Sequence, residues 1–246
     1  MAIVIRGLLV AAFFIGLLPI ALASEARAPF ELASLANESS SPPAKGSPSV
    51  PSQERERAPI VWKPRVAGAP GGRVGGAVRG SSDLATPLVL APANPGFTVR
   101  AAPSLFWQLD DATPEGVRIF FTLIDEKGEI PLVELELEPP SQAGIQRIRL
   151  ASQGVELRLG EPYTWSIALV PDMENRALDR VSLGGIQRIA DDGEIPLGAR
   201  ALAAEGLWYD ALELLVDAVD ANPGDPGALA RRRSLLTQAG FVIGAD

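Results

Sequence analysis

The chain has no cysteine and no histidine among its 246 residues. Without thiols there is no disulfide framework, no thiolate metal site and no lipid-attachment cysteine, so packing alone holds the fold together. Without imidazole, Ser-His-Asp and Cys-His nucleophiles and the usual zinc sites are excluded at once. Lysine is scarce as well: Lys45, Lys63 and Lys127 are the only three, which gives a Ser-Lys dyad little to draw on. Calcium is the remaining metal to weigh, yet neither Asp110-Asp111 nor Asp191-Asp192 follows the D-x-[DN]-x-[DN]-G spacing. The expectation is a protein with no cofactor and no metal, and not an enzyme.

Long apolar runs are also missing beyond the first 23 residues. There, Arg6 precedes an apolar run over residues 7–20, and Ala21-Leu22-Ala23 stands before Ser24, which is the layout of a secretory signal peptide. Residues 7–23 are interrupted by Pro19 and fall short of the roughly 20 apolar residues a span needs. Export to the periplasm or beyond is expected, with no stable membrane span after cleavage.

Removing residues 1–23 leaves 21 basic and 30 acidic residues, a net charge of −9. Such a surface disfavours nucleic acid and anionic lipid as partners. The charge is uneven. Residues 24–60 mix four basic and five acidic residues into a Ser/Pro-rich stretch that buries too little apolar surface to order itself, and they read as a disordered linker. Residues 61–80 hold Lys63, Arg65, Arg73 and Arg79 and no acid, whereas residues 81–246 hold 13 basic and 25 acidic residues.

What is present in abundance is glycine, concentrated in "GAPGGRVGGAVRG" at residues 68–80. A Walker loop needs a lysine after its second glycine and a dinucleotide fingerprint needs a strand before and a helix after. Neither condition is met. The stretch reads as a Gly/Arg-rich arm over 61–85, in which backbone N–H groups converge on an anion and Arg73 and Arg79 pair with carboxylates or phosphates. Its partner is either another envelope protein or the chain's own acidic surface, to which it would add an edge segment.

From 86 to 190, short β-rich runs ("PLVLAP", "FTVR", "SLFWQLD", "VRIFFTLID", "IPLVELELEP", "IQRIRLA", "PYTWSIALV", "VSLGGIQRIA") alternate with Pro, Gly and Asp about every ten residues, as in a β-sandwich. "DEKGEI" supplies a hairpin turn with Gly128 at φ > 0. Alternation in "VELELE" and "QRIRL" predicts a cross-strand ladder of Glu134, Glu136 and Glu138 with Arg147 and Arg149 on a wet face. The segment "LRLGEPYTW" resembles the tyrosine corner of immunoglobulin and fibronectin type III domains, which makes Tyr163 structural. Trp107 and Trp165 fall on inward positions as core aromatics. "GIQRI" occurs twice, at 144–148 and 185–189, and reads as two similar strand starts.

Over 191–246 the pattern turns helical. Helices are expected near 195–205, 208–221 and 226–239, the last with Asp225 as N-cap and Pro226 at N1. Gly206, Trp208, Ala211, Leu215, Ala218 and Pro223 resemble the second-helix half of a tetratricopeptide repeat, and Gly240 follows Gly206 by one repeat length. One and a half repeats do not stand alone, so these helices are expected to pack on the sandwich. Arg231, Arg232 and Arg233 read as a solvated helix face or, alternatively, a basic docking patch.

Taken in order, "GAPGGRVGGAVRG", "PSLFWQL", "YTWSIAL", "GGIQRI" and "GLWYDAL" resemble a bacterial, mainly cyanobacterial, family catalogued as domain of unknown function 928, across 61–241. Two departures stand out: Gly72 precedes Arg73 where the family has "GAPGRR", and Gly185 stands where a tryptophan usually precedes "IQR". The resemblance implies export and no residue role. The leading expectation is therefore an exported, non-enzymatic interaction module. A periplasmic or cell-surface carbohydrate-binding module, using Trp107 or Trp62, is the alternative.

Overall fold

Period-2 alternation of apolar residues decides most of this fold, because every second side chain of a strand then shares one buried face. In a computed structural model, residues 59–65, 74–76, 84–128, 131–191, 193 and 198–242 are described, those at 74–76 by backbone only. All of them belong to one unit, Val50–Asp246. Among them run nine strands: β1 (Val74–Gly76), β2 (Leu88–Val89), β3 (Gly96–Thr98), β4 (Ser104–Leu109), β5 (Arg118–Asp125), β6 (Val133–Leu137), β7 (Gly144–Arg149), β8 (Pro162–Val170) and β9 (Arg180–Arg188). Three helices follow, α1 (Ala199–Ala204), α2 (Trp208–Ala221) and α3 (Pro226–Gln238). The protein is thus mainly β, with two sheets and C-terminal helices.

The larger sheet runs β1-β9-β8-β5-β6, and the smaller runs β2-β4-β7. β3 joins the larger sheet by pairing parallel to Ile186–Arg188 of β9, beside the stretch that takes β1. On β5 and β8 the alternation is clean: Ile119, Phe121 and Leu123 are buried, as are Tyr163, Trp165, Ile167 and Leu169. They share one core with Leu105, Trp107, Leu109 and Ile148 of the smaller sheet. A bond ties the layers together, for the Val89 N–H donates to Ser182 Oγ on β9 at 3.2 Å. Gly184 permits this closeness. A methyl group there would collide with the Ala91 side chain and lie 3.4 Å from Val89 Cγ2.

All eight expected β-runs contain strands, and the turn between β5 and β6 places Gly128 at φ +64° with its N–H on the Asp125 carbonyl. The Glu/Arg ladder is different. β6 and β7 lie in separate sheets, so Glu136 pairs with Arg118 of β5 and Arg147 turns to the helices. Only the first "GIQRI" begins a strand; the second lies in the C-terminal half of β9. The glycine-rich arm itself contributes β1, where Val74, Gly75 and Gly76 pair antiparallel with Leu183, Ser182 and Val181.

α2 and α3 match the expected spans closely. Asp225 caps α3 by accepting the Gly227 N–H at 2.8 Å, with Pro226 in the first turn. The first helix is described only from Ala199, and the expected start at Ile195 lies outside the described residues. Among the described residues no helix is long and apolar enough to cross a membrane.

Candidate functional site

The dipeptide Trp208-Tyr209 opens α2, and both rings are fully buried. Burial of two polar aromatic tips requires partners, and both find them in the sheets. The Trp208 indole N–H donates to the Leu90 carbonyl at 2.8 Å. The Tyr209 hydroxyl donates to the Gly185 carbonyl of β9 and accepts the Trp165 indole N–H of β8, both at 2.9 Å. Desolvation pushes the Tyr209 phenol above its ordinary range, more than the Trp165 bond pulls it down. Gly96 makes room, since a methyl group there would stand 2.6 Å from the Tyr209 ring.

Beyond this dipeptide, Asp210, Glu213, Asp217 and Asp220 recur along α2 at intervals of three and four residues and so share one face. That face meets the sheets. Arg100, just after β3, reaches Asp210 at 3.4 Å and Glu213 at 3.0 Å. Ser104 Oγ donates to Glu213 at 2.7 Å, and the Val99 N–H donates to Asp210 at 3.2 Å. Further along, Arg147 of β7 lies 2.7 Å from Asp217 and 3.0 Å from Asp220, over the Phe106 ring. Burial raises the Asp210 carboxyl above the usual range, against Thr98, Val99 and Arg100, which lower it. This explains β4, whose six residues are all buried: Leu105, Trp107 and Leu109 fill the inter-sheet core, while Ser104 and Phe106 face α2.

Ser104, Glu213, Asp210 and Arg100 form one linked cluster of polar side chains. Its bonds run between elements. Ser104 Oγ donates to the Glu213 carboxylate and so joins β4 to α2.

The segment 59–65 lies against the helices from outside the sheets. Trp62 meets Trp208 edge-on with ring centroids 5.0 Å apart, and Phe241 stacks on the same indole at 6.0 Å. Gln238 of α3 clasps the segment, accepting the Trp62 N–H at 2.9 Å and donating to the Ile60 carbonyl at 2.8 Å. Gly206, at φ +72°, lets it pass: a methyl group there would sit 2.7 Å from the Lys63 carbonyl.

Two open concavities border the helical layer. One, about 340 Å³, is bordered by Trp62, Arg65, Asn94, Pro95, Phe97 and Gln238. The larger, about 670 Å³, is a groove between the helices, with Ile60, Leu214 and Leu215 joined by small residues of α1 and by Arg200 and Arg231.

Of the residues singled out from sequence, Arg73 and Arg79 lie outside the described residues. Trp107 is 2 % exposed, closed to any ligand, whereas Trp62 borders the smaller concavity. Arg231, Arg232 and Arg233 do not form one solvated face, because Arg232 is buried and Arg231 half-buried against the groove. Asp110 accepts an N–H from Gln108, and Asp192 lies outside the described residues. Among the described residues no group of three or more carboxylates stands close enough to hold a metal ion. Sequence reading missed the acidic face of α2, although its three-and-four spacing is visible in "YDALELLVDAVD".

The model of one protein family, Domain of Unknown Function (DUF928), matches residues 74–243, and the chain belongs to that family. Comparison with curated proteins and with solved structures gives no match.

Proposed function

We propose that this member of the domain of unknown function 928 family is an exported, non-enzymatic protein-protein interaction module of the bacterial cell envelope. One observation carries the reading. A cluster of carboxylate, hydroxyl and guanidinium groups binds α2 to the sheets, while the helices leave open a groove with an apolar floor. Polar groups bonded between elements specify an arrangement of those elements, whereas an open apolar groove with few charges is the form a partner recognises.

The finer architecture follows the same line. The order β2-β4-β7 against β9-β8-β5-β6 supports an immunoglobulin or fibronectin type III-like sandwich. So does Tyr163 near the start of β8, whose hydroxyl accepts the Arg158 N–H at 3.1 Å, five residues upstream. The tetratricopeptide-like reading of α1 and α2 is supported by Gly206 at their turn and by Ala203, Ala211 and Leu215 buried within the helical layer.

The carbohydrate-binding alternative is favoured by the smaller concavity, where an indole, an amide and a guanidinium converge. Retention of the mature chain on peptidoglycan or polysaccharide, lost in Asn94→Ala or Arg65→Ala, would select it. The interaction reading expects a chain recovered from the envelope fraction, cross-linked to a partner protein, with no glycan retention. It also expects no turnover across a panel of esters, phosphates and glycosides; turnover on any of them sinks the non-enzymatic reading.

A further inference from the structure

Resting on the interaction reading, we propose that the groove between α1, α2 and α3 binds an acidic amphipathic helix of a partner protein. Three observations converge on that occupant. The first is polarity: Ile60 and Leu215 are buried in the floor and Leu214 is half-exposed above them, so an apolar stripe on the partner has something to cover. The second is closeness of approach. The rims contributed by α1 and α2 are alanine at 199, 201, 204 and 218, which allows an incoming backbone nearer than longer side chains would.

The third is charge. Residues 81–246 carry nearly twice as many acids as bases, yet the described lining of this groove has two arginines and no carboxylate. Arg200 is exposed and makes no ion pair among the described residues, and Arg231 stands 3.8 Å from Asp225. The acids of α2 are turned away, toward Arg100 and Arg147. The angle from that acidic face to Leu214 and Ala218 is roughly a third of a turn at 3.6 residues per turn. An amphipathic helix offers what the groove lacks: aliphatic residues every three to four positions for the floor, and glutamates flanking them for the two guanidinium groups.

The test uses the mature chain and a labelled synthetic helix of about four turns, with leucines at i, i+3, i+4 and i+7 and glutamates around them. A second peptide carries lysines in place of the glutamates. Fluorescence anisotropy should show saturable binding of the glutamate peptide that weakens with salt and no binding of the lysine peptide. Arg200→Glu, at an exposed position, should weaken it by about tenfold, and Ala204→Trp should block it with the melting temperature unchanged. Absence of saturable binding, equal binding of the lysine peptide, or indifference to Arg200→Glu overturns the proposal. A dimer by light scattering that Arg200→Glu dissociates overturns it too, by assigning the groove to a second copy. If the glutamate peptide fails while one envelope partner cross-links equally to wild type and Arg200→Glu, the groove proposal falls and the interaction reading stands. If wild type captures no partner and is retained on glycan, that reading falls as well.

Discussion

At Tyr209 one hydroxyl serves two strands and a helix. It accepts from Trp165 and donates to Gly185, so Tyr209→Phe leaves a buried indole N–H without its partner while keeping the ring's volume. A stranded group of that kind costs about 1–3 kcal/mol. The expected result is a urea midpoint lowered by a loss of that order with an unchanged m-value; an unaltered midpoint would mean that water or another group replaces the hydroxyl. Sequence reading placed Trp165 and Tyr163 in the interior and named a structural hydroxyl at Tyr163, because local spacing reports a corner within one strand pair. It gave no sign of Tyr209, whose partners lie 24 and 44 residues away. A bond between a helix and a sheet has no period in the chain that would announce it.

α2 is the element on which the account turns. Trp208 and Tyr209 bond its first turn to the sheets, and four acids on one face, reached by Arg100 and Arg147, continue that attachment along the helix. Asp210 carries a pH signature. Its carboxyl is raised by burial, so the folded chain binds that proton more readily than the unfolded chain does. The contribution of Asp210 to stability is therefore lowest at neutral pH and grows as pH falls through the raised value. Chemical denaturation of wild type and Asp210→Asn, at neutral pH and again near the carboxylate range, should show wild type gaining on the variant as the solution is acidified. A gap that stays constant or moves the other way contradicts the assignment.

The strands and helices were legible because alternation and three-to-four spacing are local. The assignment of β6 and β7 to different sheets was not, since Glu134, Glu136, Arg147 and Arg149 alternate as they would on paired strands. Only the three-dimensional pairing shows that Arg118 takes Glu136 and that Arg147 leaves for α2. The same limit applied to the groove: the alanines of α1 are ordinary helix formers in the sequence, and they border a concavity only once α3 is packed beside α2.

For the whole molecule, the folded body begins before the part matched by the family. That match starts at residue 74, whereas Ile60 is buried and Trp62 packs on Trp208, which Phe241 covers from the other end of the chain. A chain starting at Val74 loses both contacts. Deleting one large buried side chain costs about 3–5 kcal/mol, and each kcal/mol shifts the melting temperature of a domain this size by about 2–4 °C. Calorimetry should place such a chain roughly 10 °C below one starting at Pro59; equal melting temperatures would show that the segment adds nothing to the body.

The claim beneath all of this is that the polar groups of the helical layer hold it to the sheets as one cooperative body. Native-state hydrogen exchange tests that claim most directly. The amides of α2 should open with the same free energy as those of β8, and Tyr209→Phe should lower both by the same amount. Exchange of α2 through its own opening, well below the global free energy and with β8 unaffected by Tyr209→Phe, would contradict it.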